Sequence, residues 1–178
     1  MAPSAITLVL GGTRSGKSEV AEALVERLGV PATYVATGQA ADTEMAARIA
    51  AHQARRATGR WSTQELEPGQ DLAPVLEGTP GPVLVDSLGT WVAGFAQLDP
   101  DVATLCAALR ARRDRRASTV LVSEEVGLGV HAATEVGRRF ADQLGLLNRA
   151  VADQADDVLL VMVGRVLPLR TGPEGERG

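Results

Sequence analysis

A glycine-rich segment near the N-terminus holds the residues whose types and spacing most clearly predict chemistry. Residues 11–18 read GGTRSGKS and match G-x-x-x-x-G-K-[ST], the phosphate loop; a chance turn between a strand and a helix is the alternative. In this motif, backbone N–H groups and the start of a helix surround a polyphosphate. Lys17, the only lysine of the chain, is expected to reach the β- and γ-phosphates, and Ser18 to bind Mg²⁺. The nucleotide-binding residues predicted here are Gly11, Gly12, Thr13, Arg14, Ser15, Gly16, Lys17 and Ser18.

Acidic residues follow two apolar runs farther along the chain. Asp86 ends the run 83–86 and is expected to orient Mg²⁺, or to cap the helix that begins near Ser87. Glu124 and Glu125 end a second run, so their carboxylates are expected at the same edge of the sheet. One of them could bind metal or accept a hydroxyl proton, and a solvated loop acid is the alternative.

A third candidate site is a histidine on a predicted helix. Arg48, His52 and Arg56 are spaced four residues apart and share a face, and Arg55 flanks the histidine. Because nearby guanidinium groups disfavour a charged imidazole, His52 is expected to stay neutral and nucleophilic. The arginines could bind a phosphate beside it, and a surface helix with a polar face is the alternative. The second histidine, His131, is read as a loop or helix-entry residue.

These residues require strands that alternate with helices. Continuous apolar runs are typical of strands buried on both faces of a parallel sheet, so the sequence predicts an α/β fold whose ligands bind at the carboxyl ends of the strands. Residues 1–170 are expected to form a single domain, and 171–178 a flexible tail. The predicted strands are 6–10, 33–36, 82–86, 118–123 and 158–163, the helices are 18–28, 43–57, 87–96, 101–116 and 134–155, and turns are expected at 67–70 and 78–82.

Composition excludes several classes of protein. The chain has 178 residues, a net charge of −4 and only 3% aromatic residues, which disfavours nucleic-acid binding and attraction to anionic membranes. Cys106 is the single cysteine, so an internal disulfide is excluded. No apolar stretch is long enough for a membrane span and no signal peptide is visible, so a cytoplasmic protein is expected.

Five ordered blocks carry a resemblance to a known family. The chain resembles the bifunctional adenosylcobinamide kinase / adenosylcobinamide-phosphate guanylyltransferase family of cobalamin biosynthesis, from about Ile6 to Arg170. The blocks are 11–18 (GGTRSGKS); 34–38 (YVATG) with 42–45 (DTEM); 48–52 (RIAAH) with Arg55 or Arg56 and Trp61; 85–92 (VDSLGTWV); and 125–130 (EVGLGV) with 137–142 (GRRFAD) and Asn148.

The resemblance implies a RecA-like phosphate-loop fold, a homotrimer and two reactions. A nucleoside triphosphate, ATP or GTP, phosphorylates adenosylcobinamide, and GTP then transfers GMP to that phosphate through a histidine, giving adenosylcobinamide-GDP and pyrophosphate. The matching histidine is His52, so the implied catalytic residues are His52 and Lys17. Arg48, Arg55 and Arg56 join the nucleotide site, and the implied Mg²⁺ ligands are Ser18, Asp86 and Glu125.

The chain departs from the family pattern at one position of interest. Members usually have Asn before the glutamate that matches Glu125, whereas this chain has Glu124. The additional negative charge could alter how metal or phosphate is held at this edge of the sheet.

Two other functions remain open from the sequence. One is a small-molecule kinase without nucleotidyl transfer, in which the arginine-rich segment 110–116 would be a phosphate-binding lid rather than a solvated helix face. In that case His52 is dispensable. The other is a non-catalytic nucleotide-dependent switch or assembly module, which binds GTP without turnover of a corrinoid.

Overall fold

A seven-stranded sheet flanked by helices organises the chain. The structure is a computed structural model that describes residues 6–38, 60–129 and 132–171. The strands are β1 (Ile6–Gly11), β2 (Ala32–Ala36), β3 (Trp61–Glu65), β4 (Val83–Asp86), β5 (Thr119–Glu124), β6 (Asp157–Met162) and β7 (Arg165–Leu169); the helices are α1 (Lys17–Leu28), α2 (Ala73–Gly78), α3 (Leu88–Ala93), α4 (Val102–Asp114) and α5 (Glu135–Ala152).

The strand order is β3-β2-β4-β5-β1-β6-β7, and every neighbouring pair is parallel except β6 with β7. The predicted mainly parallel sheet is therefore confirmed. Strand β5 lies between β1, which leads into the phosphate loop, and β4, which ends at Asp86. The carboxyl ends of these three strands consequently meet at one edge of the sheet.

Helices cover both faces of the sheet, which explains the continuous apolar runs. On one face, Val9 and Val122 pack with Ala21 and Val25 of α1. On the other face, residues such as Leu8, Val85 and Leu121 pack with buried residues of α2 to α5, among them Leu76, Leu88, Leu109 and Leu147. Adjacent residues of a strand point to opposite faces of the sheet, and helices cover both faces. Both kinds of residue are therefore buried, so apolar and polar residues do not alternate along these strands.

The predicted strands and the helices near 18–28, 87–96, 101–116 and 134–155 are confirmed, with boundaries that differ by up to three residues. The turn at 67–70 is closed by the N–H of Gln70, which donates to the carbonyl of Glu67. The predicted helix 43–57 and residues 172–178 of the predicted tail lie outside the described residues. None of the helices in the described ranges is long and apolar enough to cross a membrane.

Three elements were not predicted. Strand β3 reads WSTQE and is largely exposed at the edge of the sheet, so it lacks the apolar pattern of the buried strands. Strand β7 is the opposite edge, is exposed throughout and contains Pro168, a residue that sheets accept mainly at their edges. Helix α2 has only six residues, too few to show a helical period, and begins next to Pro74.

Both interpretations of the segment 110–116 are wrong for Arg112. Its side chain is 1% exposed and donates hydrogen bonds of 2.6–3.2 Å to the carbonyls of Leu76, Thr79, Gly81 and Ser118 and to the hydroxyl of Thr119. Burial, together with the positive charge of Arg115, lowers the pKa of Arg112 to about 10. The residue lies before the amino end of β5, opposite the phosphate loop, so it can serve neither as a lid nor as a solvated charge.

Candidate nucleotide site at the carboxyl edge of the sheet

The phosphate loop connects β1 to α1 in the predicted order of strand, loop and helix. Arg14 (φ 57°) and Gly16 (φ 92°) adopt left-handed backbone conformations, which turn the chain back on itself before the helix begins. The N–H of Ser15 donates to the carbonyl of Gly12, and the N–H of Gly164 donates to the carbonyl of Ser15 at 2.8 Å. The β6–β7 turn, which contains Gly164, is therefore hydrogen-bonded to the phosphate loop.

Gly11 is the position of the loop where a side chain could not fit. A Cβ atom there would lie 2.5 Å from Oγ of Ser15 and 2.8 Å from the carbonyl oxygen of Val161. The second contact is with backbone, which cannot move aside without distorting β6. The glycine is thus required by packing between β1, the loop and β6.

Lys17 forms an ion pair with Glu124 across this edge. The Nζ atom lies 3.6 Å from Oε1 of Glu124, and the side chains are 13% and 26% exposed, respectively. The other carboxylate oxygen, Oε2, accepts hydrogen bonds from the hydroxyl of Ser87 at 3.0 Å and from the N–H of Gly89 at 3.1 Å. Glu124 therefore links the phosphate loop to the start of α3.

The carboxylate beside Lys17 belongs to Glu124 and not to Glu125, the glutamate that the sequence analysis favoured. Glu124 is two residues beyond Val122, which packs on the α1 face of the sheet, so both residues point to that face. Glu125 directs Oε1 to the N–H of Gly127, in a hydrogen bond of 2.6 Å within its own loop. Successive side chains along a strand point to opposite faces of the sheet, so these two adjacent acids point in different directions. Glu125 as a metal ligand stays a prediction.

Asp86 is held by a residue that the sequence analysis did not select. The hydroxyl of Tyr34 donates to Oδ2 of Asp86 at 3.1 Å. In the parallel pairing of β2 with β4, Tyr34 lies opposite Leu84 and Ala36 lies opposite Asp86, so the tyrosine is a diagonal neighbour of the acid. Tyr34 is 6% exposed and reads as an ordinary core residue in the sequence, so only the strand pairing identifies it.

A cluster of three hydroxyl residues, Thr37, Ser87 and Thr90, fixes the turn after Asp86. The hydroxyl of Thr37 accepts from the N–H of Ser87 at 2.8 Å and donates to its carbonyl at 2.6 Å. Ser87 and Thr90 form a reciprocal cap at the start of α3. The predicted alternative for Asp86, a helix cap, is thus wrong, because Ser87 performs that role.

Asn148 of α5 supports the end of β5. Its side-chain carbonyl accepts from the hydroxyl of Ser123 at 2.6 Å, and its amide donates to the backbone carbonyl of Glu124 at 3.1 Å. The residue is 9% exposed. These bonds orient the backbone from which the Glu124 side chain extends.

The oxygen donors at this edge suit Mg²⁺. The hydroxyl of Ser18, at the start of α1, and the carboxylates of Asp86 and Glu124 are hard ligands of the kind that this ion prefers. Within 6–38, 60–129 and 132–171, no group of three or more His, Cys, Asp or Glu could hold a metal by itself.

The predicted histidine site lies outside the described residues. His52, Arg48, Arg55 and Arg56 all belong to the segment 39–59, and His131 follows the described range 60–129. Their roles stay predictions.

A family model described as cobinamide kinase / cobinamide phosphate guanyltransferase matches residues 7–169. The chain belongs to this family. The resemblance stated from the sequence is therefore confirmed, and with it the prediction of an enzyme of this family. The matched region contains the phosphate loop, Asp86 and Glu124 as well as the segment with His52.

Curated relatives agree with the family model. The chain is 39% identical over 175 residues to the bifunctional adenosylcobalamin biosynthesis protein CobP of Pseudomonas aeruginosa. The aligned region covers 93% of this chain and 98% of that protein. The chain is 34% identical to the bifunctional adenosylcobalamin biosynthesis protein CobU of Salmonella typhimurium, covering 88% of this chain and 95% of that protein. CobU of Escherichia coli gives the same identity and coverage.

Solved structures show the fold. A KaiC-like protein from Pyrococcus horikoshii matches with a TM-score of 0.56 at 14% identity, covering 96% of this chain and 87% of the other. The P4 protein of bacteriophage phi6, solved with ADP, matches with a TM-score of 0.51 at 16% identity, covering 92% of this chain and 54% of the other. The predicted RecA-like phosphate-loop fold is confirmed by these matches and by the sheet.

Proposed function

We propose that this chain is a bifunctional enzyme of cobalamin biosynthesis. It phosphorylates adenosylcobinamide with ATP or GTP, and then transfers GMP from GTP to adenosylcobinamide phosphate. The products of the second reaction are adenosylcobinamide-GDP and pyrophosphate. The observation that carries this proposal is the match of residues 7–169 to a family described by both activities. The geometry agrees with it, because Asp86 and Glu124 end neighbouring parallel strands and Lys17 ends the adjoining phosphate loop.

The phosphate loop serves the triphosphate. Backbone N–H groups of the loop and of the first turn of α1 bind its oxygens, and Lys17 neutralises charge that develops during transfer. Mg²⁺, held by Ser18 and Asp86 when bound, would supply further charge neutralisation at the phosphates. Tyr34 orients Asp86, and the hydroxyl cluster of Thr37, Ser87 and Thr90 fixes the turn that follows.

His52 carries the second reaction. Its neutral imidazole nitrogen attacks the α-phosphorus of GTP, and the phosphoramidate bond forms as the bond to pyrophosphate breaks. An oxygen of adenosylcobinamide phosphate then attacks the same phosphorus, and the bond to the imidazole breaks. Arg48, Arg55 and Arg56 are assigned to bind the phosphates beside His52, because guanidinium groups pair well with phosphate oxygens.

Intact-protein mass spectrometry tests the histidine route. The wild-type chain and a His52→Ala variant are incubated with GTP and Mg²⁺ in the absence of corrinoid, quenched and weighed. We expect one added GMP on the wild-type chain and none on the variant. Adding adenosylcobinamide phosphate should remove the adduct and yield adenosylcobinamide-GDP.

The wild-type protein also distinguishes the two other functions, and a phosphate-loop variant, Lys17→Ala, tests the kinase reaction. The absence of any adduct on folded wild-type protein that still phosphorylates adenosylcobinamide would favour the plain kinase. Nucleotide binding without either reaction would favour the non-catalytic switch. Under the proposal, Lys17→Ala lowers kcat/KM of the kinase reaction by about 100-fold or more, because a charge at the transferring phosphates is lost.

The chain is further proposed to act as a cytoplasmic homotrimer. Exposed apolar residues on the β6–β7 hairpin, including Val163 at 87% and Leu167 at 55%, provide a surface that a second copy could cover. Light scattering on the purified protein should give three times the mass of the chain. A monomeric mass at micromolar concentration would contradict this part of the proposal.

A further inference from the structure

We infer that Glu124 couples nucleotide binding to Mg²⁺, by holding Lys17 until a polyphosphate arrives and by then facing the phosphates as a carboxylate that the metal must neutralise. The inference rests on the proposed nucleotide site. It concerns a residue that the motif does not include, and it follows from the contacts of Glu124.

The first step is the competition for Lys17. Its Nζ atom is 3.6 Å from Oε1 of Glu124, and both side chains are largely withdrawn from solvent. A partly buried pair of this kind is screened less than a pair on the surface. Lys17 must therefore exchange this carboxylate for phosphate oxygens when a triphosphate occupies the loop.

The second step is that Glu124 cannot readily turn away. Oε2 accepts from the hydroxyl of Ser87 and the N–H of Gly89, and Asn148 holds its backbone carbonyl. Gly89 leaves room for the carboxylate, since a Cβ there would lie 2.0 Å from Oε2. These contacts keep the carboxylate of Glu124 in its position beside Lys17.

The third step is what happens to that charge. When Lys17 moves to the phosphates, Oε1 of Glu124 loses its cationic partner and lies near a negatively charged ligand, which weakens binding. A divalent cation between the carboxylate and the phosphates would remove this repulsion. Nucleotide affinity should therefore depend strongly on Mg²⁺, and Glu124 should be the cause.

Isothermal titration calorimetry on the full chain tests this inference. The ligand is the β,γ-imido analogue of ATP or of GTP, whichever the wild-type chain binds more tightly, in EDTA and in Mg²⁺. Glu124→Gln keeps both hydrogen bonds to Oε2 but removes the charge. Without Mg²⁺ we expect this variant to bind about tenfold more tightly than wild type, and with Mg²⁺ we expect the difference to fall below about threefold.

Two further variants serve as comparisons. Glu77→Gln removes an exposed acid at the end of α2, so it controls for net charge and should behave as wild type in both buffers. Glu125→Gln removes the neighbouring carboxylate, which the structure directs to Gly127. A magnesium dependence that changes in Glu125→Gln and not in Glu124→Gln would overturn the inference.

The remaining outcomes are also decisive. Equal affinities of wild type and Glu124→Gln in EDTA would show that Glu124 does not compete for Lys17, while leaving the proposed function in place. If none of the chains, though folded by circular dichroism, bound either nucleotide in either buffer, the nucleotide site itself would be wrong and both proposals would fall together.

Discussion

The hydroxyl of Tyr34 donates a hydrogen bond of 3.1 Å to Oδ2 of Asp86, from the strand next to the one that Asp86 ends. Since the hydroxyl donor fixes the orientation of the carboxylate, Tyr34 is a positioning residue for the predicted metal ligand. The tyrosine is almost fully buried, so its ring also contributes to the core on the α1 face.

Tyr34→Phe should separate these two roles. The ring stays in the core, whereas Asp86 loses a donor that orients it. We expect the Mg²⁺ concentration for half-maximal kinase activity to rise about tenfold, a change typical of removing a partner of a metal ligand. The measurement is a magnesium titration of initial rates at saturating nucleotide. An unchanged half-saturating concentration would show that Asp86 does not need this hydrogen bond.

The end of β5 shows where sequence reasoning succeeded and where it could not. The phosphate loop, the strand before it and the acid of β4 were predicted from short patterns whose physical requirements are local. The choice between Glu124 and Glu125 depended on which face of β5 carries α1. A strand buried on both faces has no alternation in its sequence, so the run 118–123 could not reveal its faces.

Other differences have the same kind of cause. Strands β3 and β7 are edge strands whose exposed residues follow no apolar pattern, and the pairing that forms them involves distant parts of the chain. Arg112 lies between the exposed Arg110 and the partly exposed Arg113 of α4, and only its hydrogen bonds to carbonyls of α2 and of the α2–β4 connection show that it is buried. Tyr34 likewise becomes a site residue only through the pairing of β2 with β4.

Gly89→Ala should disturb Glu124 without disturbing the fold. The added methyl group would lie 2.0 Å from Oε2, so the carboxylate must move, while α3 gains a better helix former. Because the carboxylate leaves its position at the site, we expect kcat/KM for the kinase reaction to fall by about threefold or more, and the melting temperature to stay within about 3 °C of wild type. Gly78→Ala is the matched control, because a Cβ at Gly78 would meet nothing within 4 Å. Equal kinetics of the two variants would argue against a role for the Glu124 position.

Cys106 should be a slow thiol in the folded protein. It is buried between α4 and α5, with Sγ 3.8 Å from the carbonyl of Ala150, and burial raises its pKa. A raised pKa lowers the thiolate fraction at neutral pH, and burial also blocks the reagent. Labelling with Ellman's reagent at pH 7 should be about 100-fold slower than that of glutathione, and guanidinium chloride should restore a normal rate. Native-state labelling as fast as glutathione would contradict this burial.

Arg112→Met should destabilise the fold more than any other arginine substitution in α4. The side chain donates five hydrogen bonds, four of them to backbone carbonyls of α2 and of the loops at the amino edge of the sheet. Methionine fills much of the same space but leaves these acceptors without donors, at a cost of about 3–5 kcal/mol in the free energy of unfolding. Urea denaturation at pH 7 measures this difference.

Arg110→Met is the appropriate comparison, because Arg110 lies two residues earlier in the same helix and is exposed. Its guanidinium donates to the side chain of Gln154 at the surface, a contact that should contribute less than about 1 kcal/mol. A large loss in Arg112→Met beside a small loss in Arg110→Met would assign the stability to the buried carbonyl contacts. Similar losses in both variants would instead mean that the arginines act through the charge or propensity of α4, since that is what the two positions share.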